Sequence, residues 1–441
     1  MGGLFAPYEP HQQLLLPPSL RDWLPEDHLA YFVSDTVDQL EIGPILRTYR
    51  AGGSGNVAYH PRLMLKLLIF GYSTGVFSSR RIAKQIEENI AFKVLAAGHA
   101  PSHRSIARFR QEHISAFKEL FVQVVQIAVA SGMAKMGTLA IDGTKIKANA
   151  SKHKAMSYGR MQQEEARLSR EIQALLKAAG DIDALEDEEF GPDFRGDEVP
   201  EELKRRESRL RVIKEAKKRL EERKQQEDAA KIEADGQRDP AEKKRGAKRK
   251  HPLGKPKDTD QENFTDPDSR IVKDGSGAFQ QGYNAQAAVD ADSQMIVAAE
   301  VTQCAADSRE LLPVLEEAME NTGATPDQLL ADAGYKSEEN LGELEDRGIN
   351  AYIALGREGK GGQEIDPEKP ATRRMQQKLR TNRGRKRYAA RKRIVEPPFG
   401  WIKRCLGFRA FSLRGLQKVK GEWALVCLAL NLRRLNPRIA W

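Results

Sequence analysis

The sequence predicts an α/β protein: a mixed sheet flanked by helices, preceded by an all-α segment and interrupted by a long helical insertion. Three observations carry this. Two short apolar runs, Leu139 to Ile141 and Leu329 to Ala331, read as strands that deliver Asp142 and Asp332 beside glycines. Tyr283 to Val289 and Met295 to Val301 alternate as two strands, joined by the turn Asp290, Ala291, Asp292, Ser293. Roughly 130 residues of charged helix formers separate the first strand from this pair.

The first 136 residues divide into helical pieces. A Pro-rich start precedes a helix through LAYFVSDTVDQL, with Asp27 as its expected cap. From Tyr59 to about Ala130 the pattern stays helical. Within it Ser102 caps a basic segment to Arg110, which presents Arg104, Arg108 and Arg110 in the manner of a recognition helix; a plain bundle with a solvated basic face fits this stretch equally well.

The second unit, 137–441, opens on the strand carrying Asp142 and continues through Lys145 and Lys147. Its insertion, at about 155–260, has apolar residues too sparse for buried helices. Two long helices paired as an arm fit better, with Leu168, Ile172 and Leu175 on one seam and Leu203, Leu210 and Ile213 on the other. The acidic stretch DIDALEDEEFGPDFRGDE is expected as the solvated loop between them, and AEKKRGAKRKHPLGKPKD as a flexible basic linker. Beyond the strand pair, Asp307 and Glu310 have the spacing of a capping box. A helix then starts at Ser337, INAYIAL forms a fifth strand, and GEWALVCLALNLRRL closes the core.

The formal net charge of +9, from 72 Lys and Arg against 63 Asp and Glu, points to a polyanionic partner. A membrane partner is disfavoured, because the longest apolar stretches are about half the roughly twenty residues a spanning helix needs. With no secretory signal apparent, the expectation is a cytoplasmic, nucleoid-associated protein. Three scattered cysteines, Cys304, Cys405 and Cys427, indicate neither a disulfide framework nor a zinc site. Any metal chemistry would therefore be oxygen-ligated.

Between Arg373 and Arg414 stand fifteen Lys and Arg and a single acid, Glu396. Pro397 and Pro398 suit a first helical turn, which would make Glu396 a helix-terminal acid complementing the dipole. Alternatively it is a ligand for a divalent metal, with Lys403 two turns on and on nearly the same face, able to meet an adjacent phosphate. One Glu needs partner carboxylates, and Asp142 and Asp332 complete a candidate triad.

These residues, with the DGT at Asp142, the GYNAQAAVD block from Gly282, the ADAGY around Asp332 and the C-terminal signature, resemble a DDE transposase of the bacterial insertion-sequence type. In that signature a Tyr is followed after two residues by an Arg, after three more by the catalytic Glu, and after six more by a Lys. Glu396 and Lys403 fit the spacing, as do Tyr388 and Arg391 between themselves. Four residues rather than three separate Arg391 from Glu396, so Lys392 or Arg393 could take the Arg's place.

The resemblance implies a ribonuclease H-like catalytic domain and an N-terminal helical DNA-binding domain. It implies Asp142, Asp332 and Glu396 as catalytic residues holding two magnesium ions, with manganese as a substitute, and Lys403, Tyr388 and Arg391 on DNA. Cleavage at terminal inverted repeats followed by strand transfer into target DNA is the expected activity, carried out by a homodimer on double-stranded DNA. A structure-selective nuclease and an inactive DNA-binding regulator are the alternatives.

Overall fold

The computed structural model describes residues 19–49, 58–190, 201–237, 252–273, 277–304, 306–356 and 368–436. Seven helices come first: α1 Leu29–Gln39, α2 Gly43–Leu46, α3 Pro61–Ser73, α4 Ser79–Glu88, α5 Ile90–Leu95, α6 His103–Glu112 and α7 Ala116–Ala130. The cap of α1 is His28, not Asp27: its imidazole accepts from the Ala30 N–H at 3.1 Å. For α6 the expected cap is present, Ser102 accepting from the Ser105 N–H.

Strand β1 spans Thr138–Lys147, followed by β2 Ala155–Ser157, α8 Tyr158–Phe190, α9 Glu201–Gln237, β3 Gln261–Asn263, β4 Arg270–Lys273, β5 Phe279–Asp290 and β6 Ile296–Thr302. Then come α10 Leu311–Thr322, β7 Gln328–Ala331, α11 Glu338–Asp346 and β8 Asn350–Ile353. The chain closes with α12 Pro370–Arg380, α13 Asn382–Gly400 and α14 Leu416–Leu435.

The main sheet runs β4-β5-β1-β7-β8, and β6 also pairs with β5. β5 lies antiparallel to β1, β4 and β6, while β1, β7 and β8 are mutually parallel. β5 is long enough to serve two partners, with residues 279–282 facing β4 and 284–289 facing β6. The path β6-β5-β1-β7-β8 is the mixed sheet expected of a ribonuclease H-like domain; β4 and the small β2–β3 ladder were not foreseen. Asp290 holds the β5–β6 turn, accepting from the Ser293 N–H and hydroxyl.

One apolar core joins the sheet to the N-terminal helices. Tyr72, Phe117, Phe121, Ile141, Val289 and Trp423 all belong to it and are almost fully buried. α14 packs against α3, α7 and β6, so the closing helix sits between the helical layer and the sheet. Inside that contact Glu422, fully buried, accepts from the Tyr72 hydroxyl at 3.0 Å, and Arg110 donates to the same hydroxyl at 2.9 Å. Arg110 also donates to the Phe77 carbonyl. Arg110 is thus committed to the interior, at 6% exposure, whereas Arg104 and Arg108 are exposed.

The insertion forms the expected arm. Leu168, Ile172, Leu203 and Ile213 are buried between α8 and α9, and Leu175 and Leu210 are half-buried. Leu168 and Ile213, with Met156, Met161 and Ala216, make a second core, separate from the main one, against which Leu210 and Phe264 pack. The acidic stretch departs from expectation as far as Phe190, because α8 continues through it. Its remainder and most of the basic linker lie outside the described residues.

Candidate active site

Parallel pairing sets the first geometry. Ile141 stands opposite Ala331 as the last pair of the β1–β7 ladder, so Asp142 and Asp332 emerge side by side where the two strands part. β1 does not end there; it continues beside β5 to Lys147, where it also bridges to Ala410. The Asp142 Oδ1 accepts from the Gly143 N–H at 2.8 Å, and the Asp332 Oδ1 from the Gly334 N–H at 2.8 Å. Burial raises the Asp142 carboxyl above its ordinary range; Arg391 opposes that shift and the neighbouring Asp332 reinforces it.

The second geometry comes from α13, which crosses β1, β5, β7 and β8. Arg391, 9% exposed, donates from Nη1 to the Asp142 Oδ2 at 2.8 Å. Burial lowers its guanidinium, and Asp142, Tyr388 and Asp332 together more than offset this. Tyr388 lies half-buried beside it. Further along, Lys403 donates from Nζ to the Thr144 hydroxyl and lies 3.4 Å from the Lys145 carbonyl oxygen. Burial pulls its ammonium down, against the attraction of Asp142.

Glu396 does not begin a helix: α13 runs on to Gly400 with Pro397 and Pro398 inside it, and a π-turn, Trp401–Cys405, follows. A proline removes the N–H that would bond four residues back. For Pro397 that carbonyl is Arg393's, and the Gln294 side chain donates to it at 3.1 Å. Glu396 is exposed, between Arg391 and Lys403 along the chain. The structure thus brings Asp142 and Asp332 together and puts Glu396 on the helix that crosses them. Among the described residues no three His, Cys, Asp or Glu side chains are gathered closely enough to hold a metal ion.

Alternation along β1 and β5 gives the sheet two chemically different faces. Asp142 and Thr144 share a face with their partners Ala287 and Ala285, the face α13 covers. Gly143 and Lys145 share the other with Gln286 and Asn284. There Asp307 accepts from Lys145 at 3.1 Å, Asn284 at 2.6 Å and Gln286 at 3.0 Å. It caps no helix; the N-cap of α10 is Glu310, whose side chain makes no capping bond.

Gly334 lies between two carboxylates, since a Cβ there would stand 3.0 Å from Asp332 Oδ1 and 3.2 Å from Asp307 Oδ2. Tyr335, fully buried, donates to the Gln286 side chain, and burial followed by Asp142, Asp307 and Asp332 pushes its hydroxyl far up. Gly143 is required for the same packing, because a Cβ would fall 2.5 Å from Gln286 Nε2. Sequence reading missed this cluster. Its one signal was polar Asn284 and Gln286 at alternate positions of the run Tyr283 to Val289.

Asp142 and Asp332 present adjacent, mutually repelling carboxylate oxygens, the donor chemistry a hard divalent cation takes, and burial already opposes the charge of Asp142.

Two family models match the chain. A transposase DDE domain matches residues 228–432 and a transposase domain (DUF772) matches residues 18–112; between them they span well over half of the 441 residues. The chain belongs to the DDE transposases, metal-dependent enzymes that move DNA. Asp332, Glu396 and Lys403 fall inside the first match; Asp142 falls between the two. No curated protein and no solved structure shows significant similarity to it. No single helix among the described residues is long and apolar enough to cross a membrane.

Proposed function

We propose that this transposase cuts DNA at the terminal inverted repeats of an insertion sequence and joins the freed 3′ ends to target DNA, with Asp142, Asp332 and Glu396 as its catalytic acids. The observation that carries this is the emergence of Asp142 and Asp332 at adjoining positions where β1 and β7 part. Asp142 and Asp332 would hold the metal, magnesium or manganese by the chemistry of their oxygens, and Glu396 would complete the site from α13. Bound there, a pair of such ions supplies an activated oxygen nucleophile and stabilises the leaving oxygen.

The chain's own residues supply position and charge. Arg391 offsets the acids until they are otherwise neutralised, and its guanidinium can pass from Asp142 to a phosphate oxygen. Lys403, in reach of Thr144, sets one scissile phosphate beside β1. Tyr388 lines the same stretch. Arg104 and Arg108, exposed on α6, contact DNA from the N-terminal helices, which we assign as the DNA-binding unit, 1–136. Arg110 is left out of that set because it is buried. Holding two element ends together calls for a homodimer on DNA.

The test is a nicking and joining assay on end-containing DNA in magnesium. Asp142→Ala and Glu396→Ala proteins should bind the DNA and leave it uncut, and a pre-cut end with a free 3′-hydroxyl should yield joined product with the parent only. Cleavage by either variant rejects the assignment of that residue; cleavage without joining by the parent leaves a nuclease.

A further inference from the structure

The arm is the largest element to which the proposed reaction assigns no part, and two clefts meet at its base. One, of about 820 Å³, lies at the far end of β1 and is lined by Lys147, Lys152, Lys154, Arg414 and Phe279. The other, of about 750 Å³, runs beside α9 and adds Arg160, Lys204, Arg205 and Arg209. Both are lined in part by His153, Lys154 and Thr265, so the two clefts adjoin at these residues and together form a trough. Among the described residues no Asp or Glu lines either part, in a chain with 63 acids; by contrast, the cleft beside α10 is lined by five Glu.

Lys152 and Lys154 are exposed, and neither forms an ion pair among the described residues. At the sheet end Phe279 is 62% exposed, with the Lys273 ammonium 5.5 Å from its ring centroid. A cationic groove that tracks phosphates, combined with an accessible ring on which a base can stack, is the chemistry that holds single-stranded nucleic acid. Lys147 is five residues along β1 from Asp142, about 17 Å at the rise of a strand.

Resting on the transposase reading above, we propose that this trough seats a single, unpaired DNA strand leading away from the reacting phosphodiester. Its phosphates lie on Lys152, Lys154 and Lys204, and one base lies on Phe279. The arm is then part of the DNA-binding surface, its base forming one wall of the strand's path.

Fluorescence anisotropy with full-length protein tests this, comparing an end-containing duplex that carries a single-stranded extension with the same duplex blunt. The K152E/K154E protein should lose at least tenfold in affinity for the extended DNA. Its log affinity should also depend less steeply on log salt, by about 0.7 for each phosphate contact removed. F279A should lose severalfold on the extended DNA and nothing on the blunt one, and K218E, exposed on α9 outside the trough, should match the parent. Parent-like binding of the extended DNA by both trough variants overturns the proposal, as do equal losses on the two DNAs. Cleavage by the parent in magnesium is scored separately. A parent that cuts while the trough variants bind normally sinks the trough alone, and a parent that never cuts sinks the transposition reading whatever the trough does.

Discussion

The Arg391 guanidinium donates to the Asp142 carboxylate at 2.8 Å, tying α13 to the middle of β1 across 249 residues of sequence. Both side chains are largely withdrawn from solvent, at 11% and 21% exposure. The arginine is thus the countercharge that opposes the pull of burial and Asp332 on this acid toward its neutral form.

Replacing Arg391 by Gln should leave that acid buried without its partner and cost roughly 1–3 kcal/mol, less than a fully buried pair because water still reaches the site. Urea denaturation at neutral pH measures it. Arg391→Lys should recover only part of the loss, since a point charge replaces a planar fork.

Stability should also respond to pH through Asp142. Its carboxyl is raised in the folded protein, so the folded chain takes up this proton more readily than the unfolded one. The resulting stabilisation is complete below the usual carboxylate range and is lost as pH rises through the raised value. Asp142→Asn removes that loss, so its thermal midpoint should gain on the parent's between acidic and neutral pH in metal-free buffer. Added magnesium should then raise the parent's midpoint more than the variant's; a parent indifferent to magnesium would count against Asp142 as a ligand.

The arm should unfold by itself. Leu168 is 2% exposed in a core separate from the main one, so Leu168→Ala should cost about 2–5 kcal/mol there. Hydrogen exchange should show protection lost along α8 and α9 and retained in β1 and β5. Simultaneous loss in the sheet would mean that the two cores unfold as one.

Gly421 on α14 meets the turn before α7 so closely that a Cβ would lie 2.2 Å from the Ile114 carbonyl oxygen. Gly421→Ala should therefore cost at least 1–3 kcal/mol by overpacking. Because this contact joins the helical layer to the closing helix, the variant should lower one shared thermal transition. If it instead splits the transition in two, the N-terminal helices fold independently of the sheet.

By itself the sequence determined the elements whose signal is local. Apolar runs ending in Asp gave β1 and β7, alternation gave β5 and β6, Ser102 and Ser337 marked helix starts, and sparse seams at helical spacing gave the arm. Each depends on neighbours within a few residues. Tertiary structure alone decided what depends on distant partners. Glu396 lies inside a helix that continues through Pro397 and Pro398, and the Gln294 side chain supplies a donor to the Arg393 carbonyl that Pro397 cannot satisfy. Arg110 is buried because Tyr72 and Glu422, far away in sequence, meet it in the core. Asp307 serves the sheet and not a helix because strand register turns Lys145, Asn284 and Gln286 toward it. A spacing rule cannot see such pairings, since the hydrogen bonds and charges that fix them exist only once the chain has brought these side chains together.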